Sequence, residues 1–528
     1  MKNRLLLLVE EPHIKKDVTD FQIGGTLLDA NSGQPLGRGR VTIAPATKRD
    51  DLTTVITGDD GSFTFTGLTP GMYALTGWTR GYIAQFFNQH EQFSSSVVVG
   101  PNLDTSHLTF RLVRGARISG VVVDEAGEPV RQAHVWLYLD GLFGGAETVR
   151  SRGNLMTDDQ GAFHFDHLVA GRYLIAVNAQ PWYAQQLGYF GADPGNPGMA
   201  ALNMAYPVTF YGGATEPEAA ARLTVAPGEK ATVEIALQPV RAVRIPLSPD
   251  SPGGSTVQVS NLQVHAPDGS LIGVPVRVSG DDKGNRVMGG VAPGHYTLTT
   301  FTAAKNGPDE PGLVSSEIVI NSNGYVEKTE NSAFVAVTAK LQAEGAALPP
   351  ETSLVLTKRK AQSTFSEQAG ERGEIVFKRG VTPGNYLISL ANAPNLYLKS
   401  ISAEGARVIG TSVEIRSGTP VKLTMIAGLR RGQVTGTALR DGKPVMGALV
   451  LLVPADPAHN PILFRDQSNS DGSFQMSNVV PGAYTVVAME NGWDLPWAEP
   501  GALKKFMSRA TAVQVTENGK HEVKVEVQ

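Results

Sequence analysis

The chain has 528 residues and a net charge of −4, with 46 basic and 50 acidic side chains interspersed along it. This charge pattern offers no basic face for a nucleic acid and no polybasic run for an anionic membrane surface. The composition of 58 glycines, 33 prolines and no cysteine is typical of many short β-strands joined by turns, and it excludes disulfides, thiolate metal sites and a cysteine nucleophile.

The N-terminal segment resembles the start of a secretory signal. Lys2 and Arg4 precede the apolar run Leu5–Val9, which ends at Glu10. Because a working apolar region needs about seven to fifteen residues, we interpret residues 1–20 as a tail with a truncated signal segment. No later stretch reaches the roughly eighteen apolar residues of a transmembrane helix. The sequence therefore predicts an extracytoplasmic protein, in the periplasm, on the cell surface or secreted.

A turn followed two residues later by tyrosine recurs five times, and the turn is Pro-Gly in all copies but one. The copies contain Gly71 and Tyr73, Gly171 and Tyr173, Gly294 and Tyr296, Gly384 and Tyr386, and Gly482 and Tyr484. The intervals between these glycines are 100, 123, 90 and 98 residues, the size of a whole small β domain. We interpret each glycine as a turn residue and each tyrosine as a corner residue that packs its ring and bonds its hydroxyl locally.

The second unit shows the pattern of one domain most clearly. Alternating β-branched and polar residues predict half-buried strands at 118–124 and 133–137. Further along, Gly161 supplies the positive φ of a hairpin turn. Phe163 and Phe165 then point to one face of the next strand, so both rings belong in the core.

The repeats divide the chain into an N-terminal tail and five β-sandwiches. The predicted ranges are 1–20 for the tail and 21–113, 114–239, 240–330, 331–428 and 429–528 for the sandwiches, of which the third and fourth are divergent copies. Since the linkers are short, we expect a semi-rigid rod.

A motif in the second unit resembles the carboxypeptidase regulatory-like domain, a transthyretin-like or prealbumin-like β-sandwich. It consists of Gly120, Asp124, Gly127, Pro129, Ala133, Val135, Thr157, Asp158, Gly161, Phe163, Phe165, Leu168, Gly171 and Tyr173. The first and fifth units match nearly as well, and the whole arrangement is similar to multi-domain proteins of soil bacteria of the Acidobacteria type. The resemblance implies an all-β tandem array of about five transthyretin-like or Ig-like sandwiches that are exported and noncatalytic.

Residues that carry enzyme chemistry are missing from the sequence pattern. The zinc site of the enzyme for which the domain is named needs His-x-x-Glu and a distant histidine, and the ten histidines here are scattered. Aspartates precede several hairpin glycines, as at Asp158, and we interpret them as turn residues and not as calcium ligands. We therefore predict no enzyme activity, no metal and no cofactor.

An aromatic insertion follows the tyrosine strand of the second unit, from Gln180 to about Arg222. We predict it as the ligand-binding region, through Trp182, Tyr183, Tyr189, Phe190, Tyr206, Phe210 and Tyr211. Aromatic rings on a loop can stack on sugar faces or seat an apolar chain of a protein partner. The alternative is that they seal a contact between domains or cap the sandwich. Aromatic residues follow the same strand in the first and fifth units, at Trp78, Tyr82, Phe86, Phe87, Trp493 and Trp497.

These observations favour a noncatalytic exported multi-domain protein that acts in cell-envelope adhesion, scaffolding or protein binding. One alternative is an array of carbohydrate-binding modules, and another is an accessory subunit of a secreted hydrolase. The expected partner is a polysaccharide or a protein at the cell envelope, with no nucleic acid and no transmembrane segment.

Overall fold

The computed structural model describes residues 21–184, 202–247, 256–280, 286–303, 312–323, 326–330, 334–358, 364–378, 380–393, 395–429, 431–456 and 463–528. These residues form a tandem array of β-sandwiches, which confirms the predicted all-β fold class. We number the units 1 to 5 by the ranges predicted from the sequence. None of the helical segments in the described ranges combines the length and the apolar character that a membrane-spanning helix needs.

Units 1 and 2 share one arrangement of strands. Unit 1 contains β1 (Phe21–Asp29), β2 (Arg40–Pro45), β3 (Thr53–Ile56), β4 (Ser62–Leu68), β5 (Gly71–Trp78), β6 (Gln85–Phe86), β7 (Val97–Val99) and β8 (Leu108–Leu112). Unit 2 contains β9 (Ala116–Val123), β10 (His134–Phe143), β11 (Ala146–Met156), β12 (Ala162–Leu168), β13 (Gly171–Asn178), β14 (Met204–Ala205), β15 (Thr209–Phe210), β16 (Leu223–Val225) and β17 (Lys230–Ala236), with 3-10 helices at Trp182–Ala184 and Pro217–Ala219. The smaller sheets have the orders β4-β1-β8 and β12-β9-β17, and the last strand runs parallel to the first. The larger sheets are built around β3-β2-β5 and β11-β10-β13.

Unit 3 departs from this arrangement and unit 4 keeps it. Their strands are β18 (Val240–Arg241), β19 (Val243–Leu247), β20 (Thr256–His265), β21 (Leu271–Val274), β22 (Arg277–Gly280), β23 (Arg286–Val291), β24 (Gly294–Ala303), β25 (Gly312–Ile320), β26 (Val326–Glu330), β27 (Val337–Ala343), β28 (Ser353–Lys358), β29 (Thr364–Gln368), β30 (Glu374–Val376), β31 (Gly384–Ala391), β32 (Leu396–Glu404), β33 (Arg407–Ile409), β34 (Ser412–Ile415) and β35 (Val421–Leu429). In unit 4, β27 and β35 form the parallel pair of first and last strands. The described strands of unit 3 form the antiparallel sheets β19-β23-β22 and β21-β20-β24-β25-β26, and β18 pairs with β14 of unit 2.

Unit 5 returns to the arrangement of units 1 and 2. It contains β36 (Gly432–Arg440), β37 (Lys443–Pro444), β38 (Leu449–Pro454), β39 (Phe464–Gln467), β40 (Ser473–Val479), β41 (Gly482–Met489), β42 (Thr511–Val515) and β43 (Lys520–Glu526), with 3-10 helices at Gly492–Asp494 and Ala502–Arg509. β36 and β43 form the parallel pair, and β39-β38-β41-β42 is the second sheet.

The core of each unit lies between its two sheets, and the paired phenylalanines are part of it. Phe63 and Phe65 are 4% and 3% exposed in unit 1, with ring centroids 6.3 Å apart in an edge-to-face arrangement. Phe163 and Phe165 repeat this arrangement at 6.2 Å in unit 2. The prediction that alternate residues after the hairpin turn enter the core is therefore confirmed.

Each repeated tyrosine closes a local loop with its hydroxyl. The hydroxyl donates to the carbonyl oxygen four residues earlier, in the pairs Tyr73 to Thr69 at 2.9 Å, Tyr173 to Val169 at 2.5 Å, Tyr296 to Ala292 at 2.7 Å, Tyr386 to Thr382 at 2.7 Å and Tyr484 to Val480 at 2.7 Å. Burial raises the pKa of Tyr173 to about 12, so this hydroxyl keeps its proton and remains a donor at neutral pH. The bond fixes the turn that connects the two sheets.

The hairpin glycine meets two requirements at once. Gly161 has a φ of +68°, and a Cβ atom there would lie 2.5 Å from the carbonyl oxygen of Val122. The turn is also held by Asp158, whose Oδ1 accepts hydrogen bonds from the backbone N–H groups of Gln160 and Ala162, each at 2.9 Å. The carboxylate therefore acts within the turn, as Asx-type turn chemistry requires.

The first and last units are in contact. The Ser95 hydroxyl donates to the Ser468 carbonyl at 2.8 Å, and the Ser470 N–H donates to the Ser96 carbonyl at 3.0 Å. The expectation of a semi-rigid rod is therefore wrong. Short linkers restrict each joint between neighbouring units, but the direction of each joint is set by tertiary contacts, which bring the chain back on itself.

Replacing Tyr173 with Phe is expected to lower the free energy of unfolding by about 1 kcal/mol, because the Val169 carbonyl loses its donor inside the sandwich. Tyr183→Phe is the control, since that side chain is partly exposed and its bond to Glu125 lies at the surface. Urea unfolding of both variants measures the difference. Equal losses for the two variants would contradict a stabilising role of the corner bond.

Gly161→Ala is expected to be more destabilising than Gly127→Ala. Both glycines have left-handed φ values, +68° and +81°, but a Cβ atom on Gly127 meets no atom within 4 Å. The control should cost about 1 kcal/mol for the backbone conformation alone, and Gly161→Ala about 2 kcal/mol more for the collision with Val122. Thermal unfolding of the two variants tests this, and similar melting temperatures would refute it.

Candidate functional site

The described part of the aromatic insertion separates into an exposed group and a buried group. Trp182 is 72% exposed and Tyr183 is partly exposed, both on the short 3-10 helix that follows β13. Tyr206 and Phe210 are buried, at 4% and 1% exposed, and Tyr211 packs partly buried against the unit 2 core. Tyr189 and Phe190 lie outside the described residues.

A cleft opens beside the exposed group. Its volume is about 310 Å³, and it is lined by Asp124, Pro129, Val130, Arg131, Gln132, Asp159, Gln180, Trp182 and Tyr206. The polar residues come from three turns of unit 2 that follow β9, β11 and β13. Two of these turns, around Gly127 and Gly161, belong to the sequence motif. The motif indicates structural turns and does not predict that they line a cleft.

Two tyrosines hold Glu125 at the edge of this cleft. The Tyr183 hydroxyl donates to Oε1 at 2.8 Å, and the Tyr206 hydroxyl donates to Oε2 at 2.7 Å. Burial by itself would raise the pKa of Glu125, but the hydrogen bonds from Tyr206 and Tyr183 outweigh it and the pKa is lowered. Burial and the bond to Glu125 raise the pKa of Tyr183 to about 12. Glu125 is thus a charged anchor that fixes both rings.

The side chains that line the cleft are suited to binding a polar molecule. Trp182 presents a ring face for stacking, Arg131 and Gln132 carry donors, and Asp159 carries an acceptor. Asp124 is engaged in its own turn, because Oδ1 accepts from the N–H groups of Ala126 and Glu128. Within the described ranges, no group of three or more His, Cys, Asp or Glu side chains is placed to hold a metal ion.

Phe210 belongs to a contact between units. Its ring packs with Tyr138 and Leu174 of unit 2 against Ala266 and Ile272 of unit 3. This is the arrangement that the alternative interpretation expected, in which insertion aromatics seal a domain contact. Phe210 therefore does not share the cleft with Trp182.

The contact between units 1 and 5 also involves unit 2, and we call it the three-unit junction. Arg465 of unit 5 donates from Nη2 to Glu91 Oε2 of unit 1 at 2.9 Å, and its guanidinium lies over the rings of Phe93 and Trp497 at 5.2 and 5.3 Å. Glu91 Oε1 accepts from the N–H of Gly144 in unit 2 at 2.7 Å. The ion pair is largely enclosed, since the two side chains are 16% and 17% exposed.

Further polar and aromatic contacts surround this ion pair. The His90 ring stacks on Trp493 at 5.4 Å with an interplanar angle of 6°. The Gln467 side chain donates to the Asn88 carbonyl at 2.6 Å and to the Ser95 hydroxyl at 2.9 Å. Trp493, which follows the same strand of its unit as the aromatic insertion does in unit 2, therefore packs in a contact between units.

A second polar joint connects units 1 and 2. Asp29 at the end of β1 accepts on Oδ2 from the Tyr82 hydroxyl and from Arg114 Nε, each at 2.6 Å. Burial opposes ionisation of Asp29, but the bonds from Tyr82, from the backbone of Ser32 and from Arg114 outweigh it and lower the pKa. The Arg114 guanidinium also lies 5.3 Å from the centroid of the Tyr82 ring. Tyr82 therefore fixes a domain joint.

Comparison with known proteins identifies the first two units. A model of the carboxypeptidase regulatory-like domain matches residues 22–112 and 117–238, which confirms the resemblance seen in the sequence motif. No curated protein matches the chain.

The solved structures that match the chain are only remotely similar to it. The Bacillus anthracis TIE protein is 11% identical over 96% of this chain and 73% of that chain, with a TM-score of 0.18. The minor pilin GBS52 from Streptococcus agalactiae is 13% identical over 44% of this chain and 98% of that chain, with a TM-score of 0.22. The shaft pilin SpaA from Lactobacillus rhamnosus GG is 12% identical over 42% and 98%, with a TM-score of 0.18. Likenesses this weak carry no argument about what this chain does.

The fold, the repeated turn and corner residues and the family match agree on the same conclusion. Units 1 and 2 match the carboxypeptidase regulatory-like domain, and the chain is a tandem array of β-sandwiches.

Proposed function

We propose that the chain is a noncatalytic scaffold that holds several β-sandwiches in fixed relative positions for protein binding or adhesion at the cell envelope, outside the cytoplasm. The observation that carries the proposal is the three-unit junction. Arg465, Glu91 and Gly144 come from units 5, 1 and 2, so one ion pair and one hydrogen bond on Glu91 join the last unit of the array to the first two. Such a contact restricts the movement of these units relative to one another.

The use of the polar side chains supports a noncatalytic role. Asp29 and Glu91 are charged groups at sheltered positions, and Glu125 lies at the surface. Each of the three is held by two or more donors that position protein elements. A general base or nucleophile needs a free position toward a substrate. The Lys2, Arg4 and Leu5–Val9 segment is the sequence feature that supports export.

Fixed units favour multivalent attachment. When several weak sites are held at matching positions, the second contact becomes intramolecular and total affinity rises by about two to four orders of magnitude. Loosening the junction should therefore weaken attachment even though no binding residue is changed.

Arg465→Ala is expected to weaken binding of the full chain to envelope fragments of the source bacterium by at least about tenfold, because units 1 and 5 lose their ion pair and the fixed spacing. Arg440→Ala is the matched control, since Arg440 pairs with Glu490 within unit 5 at 2.8 Å. Cosedimentation with increasing amounts of fragments measures the affinity. A wild-type protein that does not cosediment would contradict the proposed function.

A second candidate function is carbohydrate binding in the unit 2 cleft. It is favoured by the exposed ring of Trp182 beside the donors and acceptors of the cleft, a combination that suits a neutral sugar. The accessory role beside a secreted hydrolase would use the same cleft or the same scaffold.

Trp182→Ala is expected to reduce saturable binding to a soluble polysaccharide by at least about tenfold, since an aromatic anchor at a binding site contributes about 2 kcal/mol or more. Trp78→Ala removes an exposed tryptophan from unit 1 and should leave this binding unchanged. A panel of glycans and polysaccharides, read by affinity electrophoresis and calorimetry, is the assay. Absence of binding by the wild-type protein across the panel would remove this candidate.

A further inference from the structure

One face of the larger sheet in unit 1 is exposed although it carries large apolar side chains. Ile56, Arg40 and Trp78 are neighbours across β3, β2 and β5, and Phe86 on β6 pairs with Thr76 on β5. Their side chains point away from the core residues Val41 and Leu75. Ile56, Trp78 and Phe86 are 63%, 42% and 46% exposed. We call the surface formed by Arg40, Thr42, Ile56, Thr76, Trp78 and Phe86 the unit 1 outer face.

The equivalent face of unit 2 is buried. The strand register shows which residues of the two units occupy equivalent positions. The corner tyrosine pairs with Pro45 in unit 1 and with Leu139 in unit 2. Thr76 therefore corresponds to Ala176, and Phe86, which pairs with Thr76, corresponds to Phe210, which pairs with Ala176. Ala176 and Phe210 are 0% and 1% exposed, under Ala266 and Ile272 of unit 3.

The equivalent face of unit 5 is buried as well. Tyr484 pairs with Pro454, so Val487 and Leu451 occupy the positions of Thr76 and Thr42. Both are 0% exposed, and they pack in a cluster with Trp493 and Trp497 and with Phe93 from unit 1. Two of the three closely related units therefore use this face for packing, and one of them packs it on a neighbouring sandwich.

The unit 1 outer face is continuous with the three-unit junction. Met72, which is 39% exposed, pairs with Val98, and the Val98 N–H donates to the Ser470 hydroxyl of unit 5 at 2.8 Å. At the other side of the face, the Phe86 N–H donates to the Gln89 side chain. Gln89 directly precedes His90, whose ring stacks on Trp493 of unit 5. An established contact surface thus extends into an open apolar one.

The unit 1 outer face also has the composition of an interface centre. Apart from Arg40, whose guanidinium lies 5.3 Å from the Trp78 ring centroid, its residues are uncharged. The centres of protein interfaces differ from other surfaces because they contain few charged residues and more aromatic and arginine residues. A surface of this kind disfavours a charged partner.

We propose that the unit 1 outer face pairs with the same face of a second copy of this chain, with two sheets stacked across a two-fold axis. The two-fold axis runs across the strands at the paired residues Thr42 and Thr76. The pair Arg40 and Trp78 of one copy then lies over the pair Ala44 and Ala74 of the other copy, so that large side chains meet small ones. The same axis brings the two Phe86 rings together. The face is therefore self-complementary in size and free of opposed rows of charge.

Sedimentation equilibrium of the full chain tests the pairing. The wild-type protein should be a dimer that dissociates on dilution, and Trp78→Glu or Phe86→Glu should raise the dimer dissociation constant by at least about 30-fold, as expected for a desolvated aromatic at an interface centre. Trp182→Glu, at an exposed tryptophan of unit 2, should leave the constant unchanged. Circular dichroism and the melting temperature establish that each variant is folded.

The absence of native cysteine allows an independent test that does not disturb the apolar side chains. Thr76→Cys should form a covalent dimer with a short bismaleimide, while Ser151→Cys on the exposed edge strand β11 should not. A wild-type chain that stays monomeric at every concentration overturns the proposal and leaves residues 1–20 or a different protein as occupants of the face. A dimer that is insensitive to Trp78→Glu and Phe86→Glu and is not cross-linked through Cys at position 76 also overturns it.

Discussion

The ion pair between Arg465 and Glu91 is the contact on which the arrangement of the units depends. Charges this enclosed are costly to bury, and the cost is met only when every partner is in place. Here the partners are the rings of Phe93 and Trp497 and the N–H of Gly144, which come from three units. Removing one member leaves the other charge unpaired, at a cost of about 3–5 kcal/mol for a buried pair. The contact thus couples the positions of three sandwiches.

The repeated sandwich has one outer sheet face that the chain uses in different ways. In unit 2 the face packs on unit 3 through Phe210, and in unit 5 it packs beneath Trp493 and Trp497. In unit 1 the same positions carry Thr76, Trp78 and Phe86 and remain open. Because the register around the corner tyrosine is the same, a change of side chain at a few outward positions decides which neighbour a unit takes. Units with the same strand arrangement can therefore take different neighbours.

Much of the fold could be predicted from the sequence, because its determinants are local. Gly161 requires a left-handed φ, Phe163 and Phe165 obey the period of a strand, and Tyr173 bonds a carbonyl only four residues away. The arrangement of the units could not be predicted in the same way. Arg465 and Glu91 are 374 residues apart, and no local pattern distinguishes their pairing from an exposed arginine and glutamate. For the candidate site, the aromatic composition pointed to Trp182, Tyr183 and Phe210 alike and could not tell the exposed ring of Trp182 from the buried ring of Phe210.

The distance between the first and last units is the most direct measure of whether the three-unit junction forms. Spin labels on cysteines introduced at Asp51 in unit 1 and Lys504 in unit 5, both exposed, would report it by double electron–electron resonance in the otherwise cysteine-free chain. If the junction fixes the units, one narrow distance distribution is expected, which broadens when Arg465 is replaced by alanine and persists when Arg440 is replaced. A broad distribution in the unmodified background, or one centred at the long distance of an extended array, would contradict it.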